Sequence, residues 1–201
     1  MKVCVDAGHG GSDPGAIGTD PFRLEEKSFT LALALLLEEE LESRGHWVVM
    51  TRRRDRTLGL PARARFANRL RADLFLCLHA NAAPDPTVEG MEVFHFPGST
   101  PGLHVAQHVL DALIAAFPAH RNRGARGERF AVLRLTQMPA ILIECEFLTN
   151  PKQLRFLADP SNRTGLAQAI AAGVDSLEAA GAGQQDLSAN AARSRLAPHS
   201  A

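Results

Sequence analysis

The sequence predicts an α/β fold: a single domain with a mostly parallel, twisted sheet of about six strands and helices on both faces. Two observations predict it. Short β-type apolar runs alternate along the chain with helix-type stretches, and those runs are apolar at successive positions, as strands covered on both faces must be. A third bounds the size: 201 residues, 45% of them hydrophobic and 22% charged, suffice for one core of ordinary globular composition.

The elements follow in order. Lys2 to Asp6 reads as the first strand and runs into a glycine-rich loop. Glu26 to Arg44 reads as a helix, with Phe29, Leu33, Leu36, Leu37 and Leu41 along one face and Gly45 as its stop signal. Trp47 to Met50 is the second strand, and Pro61 to Leu70 a helix with proline in its first turn. Strands at Leu74 to Leu78 and Met91 to Phe96 precede a helix from Leu103 to Phe117. The last strand, Ala140 to Glu144, precedes a helix from Thr164 to Leu177. The domain is therefore expected over residues 1–178. Residues 179–201 are rich in Ala, Gly and Ser and poor in large apolar residues, and are expected to form a mobile or weakly helical tail.

Composition excludes several functions. Lys plus Arg equals Asp plus Glu at 22 each, so no global field recruits nucleic acid. Local arginine clusters stand at Arg52 to Arg56 and Arg121 to Arg129. Aromatics make up only 5% and tyrosine is absent, so these clusters lack a stacking platform and read as solvated faces. Cys4, Cys77 and Cys145 lie in apolar runs without C-x-x-C spacing and read as buried free thiols. No apolar stretch approaches the ~18–20 residues of a membrane span, and no leader-like segment precedes the first strand. The chain is thus expected either to be made in the cytoplasm and released at lysis or to be a mature form.

In open parallel sheets, ligands gather beyond the carboxyl ends of the strands. Three strand ends carry polar residues there. The first leads into Asp6-Ala7-Gly8-His9-Gly10-Gly11-Ser12-Asp13-Pro14-Gly15, which lacks both the P-loop lysine pattern and the third glycine of a dinucleotide fingerprint. A histidine between glycines suits metal ligation, because little bulk blocks its approach. The third strand delivers His79-Ala80-Asn81-Ala82. His79 alone reads as a core histidine, but paired with His9 on one sheet edge it becomes a candidate ligand. Either Glu25 or Glu26, at the start of the first helix, would complete the two-histidine, one-glutamate set of catalytic zinc hydrolases. The macrodipole alone also favours either one. The last strand ends in Glu144, a carboxylate too costly to bury without a cation or a chemical task, and it suits a general base beside an activated water. Alternation places Glu146 on the same side, so it competes for that role. His46, His104, His108, His120 and His199 read as structural or solvated; His104 and His108 have i, i+4 spacing but no third ligand nearby.

Taken together, these motifs resemble the zinc-dependent N-acetylmuramoyl-L-alanine amidases of the family often called amidase type 3. The resemblance covers residues 2–178. It rests on Asp6 to Gly11, Glu26-Lys27 with Leu31 and Ala34, Thr51-Arg52, Arg63 with Ala67-Asn68, Ala72 to Phe75 through His79 to Ala82, and Met138-Pro139 through Glu144 to Asn150. It implies Zn2+ held by His9, Glu26 and His79, with Glu26 chosen because the family's ligand directly precedes a lysine. It also implies Glu144 as the catalytic carboxylate, Asn81 and Arg134 near the substrate, and peptidoglycan as that substrate, cut between N-acetylmuramic acid and L-alanine. A phage lysis enzyme is one such context. The chain departs from the family at Glu146, where the family usually has glycine. Some relatives carry a regulatory helix that plugs the site. Here residues 96–130 have room for one packing helix and a short Arg/Gly loop, so no activator protein is expected. Two other readings compete: a zinc peptidase acting within the stem peptide, and a non-catalytic, metal-stabilised wall-binding domain. Oligomeric state is not legible.

Overall fold

The computed structural model describes residues 1–194, with side chains through Leu177. Its elements in chain order are β1 (Lys2–Ala7), β2 (Ile17–Gly18), β3 (Leu24–Glu25), α1 (Glu26–Ser43), β4 (Trp47–Met50), α2 (Leu60–Leu70) and β5 (Leu74–Asn81). Then come β6 (Met91–His95), α3 (Thr100–Ala116), β7 (Asn122–Gly127), α4 (Ala131–Leu135), β8 (Ala140–Phe147), α5 (Pro151–Ala158) and α6 (Pro160–Ser194). Six strands form one sheet in the order β4-β1-β5-β8-β6-β7, and β2 pairs with β3 in a small hairpin. All neighbours in the large sheet run parallel except β6 and β8.

The strands are apolar at successive positions because each face meets its own layer. Val3, Val5, Leu76, Leu78, Ile141 and Ile143 join Leu33, Leu37, Val109, Leu113, Ile170 and Val174 of α1, α3 and α6 in the larger core. The alternate residues Cys4, Phe75, Cys77, Phe94 and Leu142 pack with Ala67 of α2 and Val132 and Leu133 of α4. All three cysteines are buried and free. Among the described residues, no helix is long and apolar enough to cross a membrane.

Several elements differ from the sequence expectation. The Arg/Gly stretch expected as a loop is β7, paired with β6 at the sheet edge; with a partner on one side only, it needs no apolar alternation. Alpha5 is capped by Asn150, whose side chain accepts from the N–H groups of Lys152 and Gln153 at 2.9 and 3.2 Å. The last helix begins at Pro160 rather than Thr164 and runs on to Ser194, into the stretch expected to be mobile or weakly helical. Residues 195–201, His199 included, lie outside the described residues.

This topology aligns the site. Strands β1, β5 and β8 are adjacent and parallel, so the loop after β1 and the ends of β5 and β8 share one edge.

Candidate metal centre

His9 stands two residues beyond β1. Gly8 continues the ladder by donating its N–H to Leu78 O at 3.1 Å. It must be glycine, since a Cβ there would lie 2.5 Å from Cε1 and Nε2 of His79. His9 itself has φ 61, a left-handed conformation rare outside glycine and characteristic of functional turns. Its Nδ1 is 2.9 Å from Asp13 Oδ2, which turns Nε2 to within 3.1 Å of Glu26 Oε2. A carboxylate behind a ligand histidine is the usual means of fixing its ring.

Glu26 opens α1, its N–H bonded to Ala16 O at 2.9 Å. Each carboxylate oxygen accepts twice: Oε1 faces His79 Nδ1 at 2.8 Å and the Ala80 N–H at 3.0 Å, and Oε2 faces His9 and the Ala16 N–H at 2.8 Å. Glu25 points elsewhere and pairs with Arg23 at 2.8 Å and Lys27 at 3.5 Å. Gly15 closes against this group, for a Cβ there would meet Glu26 Oε2 at 2.5 Å. Burial alone would raise the Glu26 carboxyl, but hydrogen bonds from His79 and His9 outweigh it and hold the group far below the ordinary carboxylate range. Burial lowers His9 in turn, yet Glu26 and Asp13 together raise it above its usual value.

The ligand atoms of His9, Glu26 and His79 all lie within 4.8 Å of one another. Zinc donors stand ~2.0–2.2 Å from the ion, so small side-chain rotations would close the three around one cation. Nitrogen and carboxylate donors suit zinc, and a three-residue set leaves a fourth position open. The residues therefore fit such an ion.

They form one wall of a cleft of about 390 Å³ that Asn81, Glu144, Leu60 and Phe130 also line. Glu144 lies in β8 directly across from His79 of β5 and Glu92 of β6. It is partly accessible from the cleft, but its Oε2 is shielded and has no hydrogen-bond partner. Burial, then repulsion from Glu26 and Glu92, pushes its carboxyl well up. Asn81 donates from Nδ2 to Glu92 Oε1 at 2.8 Å. Arg134 is not among the residues lining this cleft; it borders a separate depression with Phe96, Ser99 and Met138. Among the described residues, a depression of 380 Å³ lined by Met1, Leu74, His104 and Leu177 holds no comparable donor set.

Glu146 departs from simple alternation. The β5–β8 register shifts between His79↔Glu144 and Asn81↔Phe147, which inserts one extra residue in β8 and breaks the period of two. Glu146 is fully buried; it binds His120 Nδ1 at 2.8 Å and accepts from the Gly90 N–H at 2.8 Å. Arg52, expected on a solvated face, is buried and bonded to the carbonyls of Ala7, Gly8 and Lys27. Asp13 and Arg63 complete the surroundings of His9. An acid four residues after His9 is a sequence signal for the first; the second belongs to the residues that carry the family resemblance, but its local pattern does not assign it to the site.

Comparison with known proteins shows the family. The amidase type 3 family model, described as N-acetylmuramoyl-L-alanine amidase, matches residues 3–176. The probable cell wall amidase LytH of Staphylococcus aureus is 34% identical over 172 residues, covering 86% of this chain and 56% of that protein. The chain thus spans little more than half the length of that relative. N-acetylmuramoyl-L-alanine amidase AmiC2 of Nostoc punctiforme superposes with a TM-score of 0.82 at 33% identity, over 89% of this chain and 97% of that one. The CwlD amidase of Clostridioides difficile, solved in complex with the GerS lipoprotein, gives 0.85 at 28% identity over 89% and 98%. The chain belongs to the type 3 family of N-acetylmuramoyl-L-alanine amidases.

Proposed function

We propose that this chain hydrolyses the amide bond between N-acetylmuramic acid and the L-alanine of the stem peptide in peptidoglycan, at the cell wall, with zinc as its cofactor. The observation that carries this reading is the convergence of His9, Glu26 and His79 in one cleft with Glu144. An ion held by those three residues would supply a Lewis acid that polarises a carbonyl and brings the pKa of a water molecule to about 7.

The protein's own residues do the rest. Glu144 takes the proton of the attacking water and returns it to the departing amine nitrogen. A carboxyl whose proton affinity burial has raised suits both halves of that transfer. Asp13 holds the His9 ring. Asn81, between the ligand His79 and Glu92, positions substrate along the cleft, and Leu60 and Phe130 shield the reacting amide from solvent at its rim.

Digestion of defined muropeptides followed by mass spectrometry tests this. The expected products carry free L-alanine amino termini and intact glycan. Cuts inside the stem peptide would favour the zinc peptidase instead, and sedimentation with wall without soluble fragments would favour a binding domain.

A further inference from the structure

Two arginines lie beneath the turn that carries His9: Arg52 is 1% exposed and Arg63 3%. Burying guanidinium groups is expensive unless their donors are used and a countercharge is at hand. Asp6 forms the direct ion pair of Arg63, and its charge, with that of Asp55, also acts on Arg52. Asp6 accepts from Arg63 Nη1 at 2.8 Å and also from the Thr51 hydroxyl and the Cys77 thiol.

Apart from the Thr30 hydroxyl, which accepts from Arg52 Nη2 at 3.0 Å, the remaining compensation is backbone, and its location is specific. Ala7 O accepts from Arg52 Nε at 2.8 Å and Arg63 Nη1 at 2.7 Å; Gly8 O accepts from Arg52 Nη2 at 2.8 Å; His9 O accepts from Arg63 Nη2 at 2.6 Å. Every carbonyl from Ala7 to His9 is thus held by a rigid guanidinium plane. Arg52 Nη2 also donates to Lys27 O at 2.9 Å, next to Glu26. The pair therefore ties the His9 turn to the first turn of α1. His9 needs such support, because a non-glycine residue at φ 61 persists only where its surroundings over-determine it.

We infer that Arg63 and Arg52 are positioning residues for the metal centre, locking the His9 backbone so that its Nε2 faces the Glu26 carboxylate. The inference rests on the zinc reading above. A fold needing only filled volume would use apolar side chains here. A lysine cannot substitute for the fork, since one ammonium does not span the carbonyls of Ala7 and His9 in a fixed plane.

The test measures zinc affinity by competition with a chromophoric chelator, alongside thermal melting of the zinc-free protein. Arg63→Lys is expected to melt cooperatively yet bind zinc about 10–100-fold more weakly, the usual cost of losing support behind a ligand. Arg63→Ala should lose at least as much and recover part of it when free guanidinium ion is added. The exposed neighbour Arg54→Ala should leave affinity unchanged. A folded Arg63→Lys protein that binds zinc as tightly as the wild type overturns the assignment, as does a loss no larger than its unfolded fraction explains. A wild-type chain that takes up no zinc overturns the metal reading and the clamp with it.

Discussion

Among the described residues, none hydrogen-bonds the shielded oxygen of Glu144, and burial with two nearby carboxylates pushes its proton affinity well up. The consequence for the metal-free protein has a definite sign. Above the ordinary value of 4.5, the unfolded chain gives up this proton while the folded one keeps it. Stability therefore falls as pH rises from there toward the raised folded value, and then levels. Glu144→Gln removes that slope, so the zinc-free variant should melt at or above the wild-type temperature at neutral pH. Its cleavage rate should meanwhile drop by about 10²–10⁴, the usual worth of a general acid–base group. Thermal melts across pH and a wall-hydrolysis assay read the two effects separately, and unchanged hydrolysis would remove Glu144 from the mechanism. Gly8 makes the complementary case. In Gly8→Ala the new methyl would meet the His79 ring at 2.5 Å and Leu78 O at 2.7 Å. Overpacking of this kind costs about 1–3 kcal/mol, and here it displaces a proposed ligand. Zinc titration of the variant should show weakened uptake beyond what its lowered melting temperature explains.

Between elements, α3 approaches α6 closely at a glycine. A Cβ at Gly173 would lie 2.6 Å from Val109 Cα and 3.0 Å from His108 O, all backbone that cannot rotate aside. Helix propensity alone favours alanine over glycine by about 1 kcal/mol, but forcing two helices apart costs about 1–3 kcal/mol. Gly173→Ala is thus expected to lower the denaturation midpoint. Gly165→Ala, which meets only the Phe117 ring at 2.9 Å, should stay near neutral because that side chain can yield. A Gly173→Ala protein more stable than wild type would refute the packing argument. The same scale shows what was legible. Strands β1, β4, β5, β6 and β8 and helices α1 to α3 could be read from their apolar runs and stop signals, as could the position of His9, His79 and Glu144 toward one edge of the sheet, although β5 and β8 run on past His79 and Glu144 to Asn81 and Phe147. Beta7 could not, since an edge strand of Asn, Arg and Gly carries no period. The bulge that turns Glu146 toward His120 arises from pairing with β5, not from local pattern. Arg52 read as solvated because its acceptors, the carbonyls of Ala7 and Gly8, are distant in the chain.

Across the whole molecule, the helices divide unevenly about the sheet, and this decides access to the cleft. Helices α1, α3 and α6 pack together on one face, and α3 is the sole helix that residues 96–130 form. The cleft opens at the carboxyl edge of the sheet between Leu60, at the start of α2, and Phe130 and Ala131, at the start of α4. Among the described residues, no helix from the 96–130 stretch contributes to its lining. The lining of the cleft by the described residues leaves it open, so the purified chain is expected to release peptide from wall sacculi without a partner protein. A chelator should stop the release and added zinc restore it. The fold should survive that cycle, because without the ion the Glu26 carboxylate is still held by two imidazoles and two backbone N–H groups. Zinc in ~1,000-fold excess over its dissociation constant adds about 4 kcal/mol by mass action, so the melting temperature should fall on chelation while the transition stays cooperative. Release that begins only when a second protein is supplied would show instead that the open cleft is not competent alone, and that some rearrangement must precede binding.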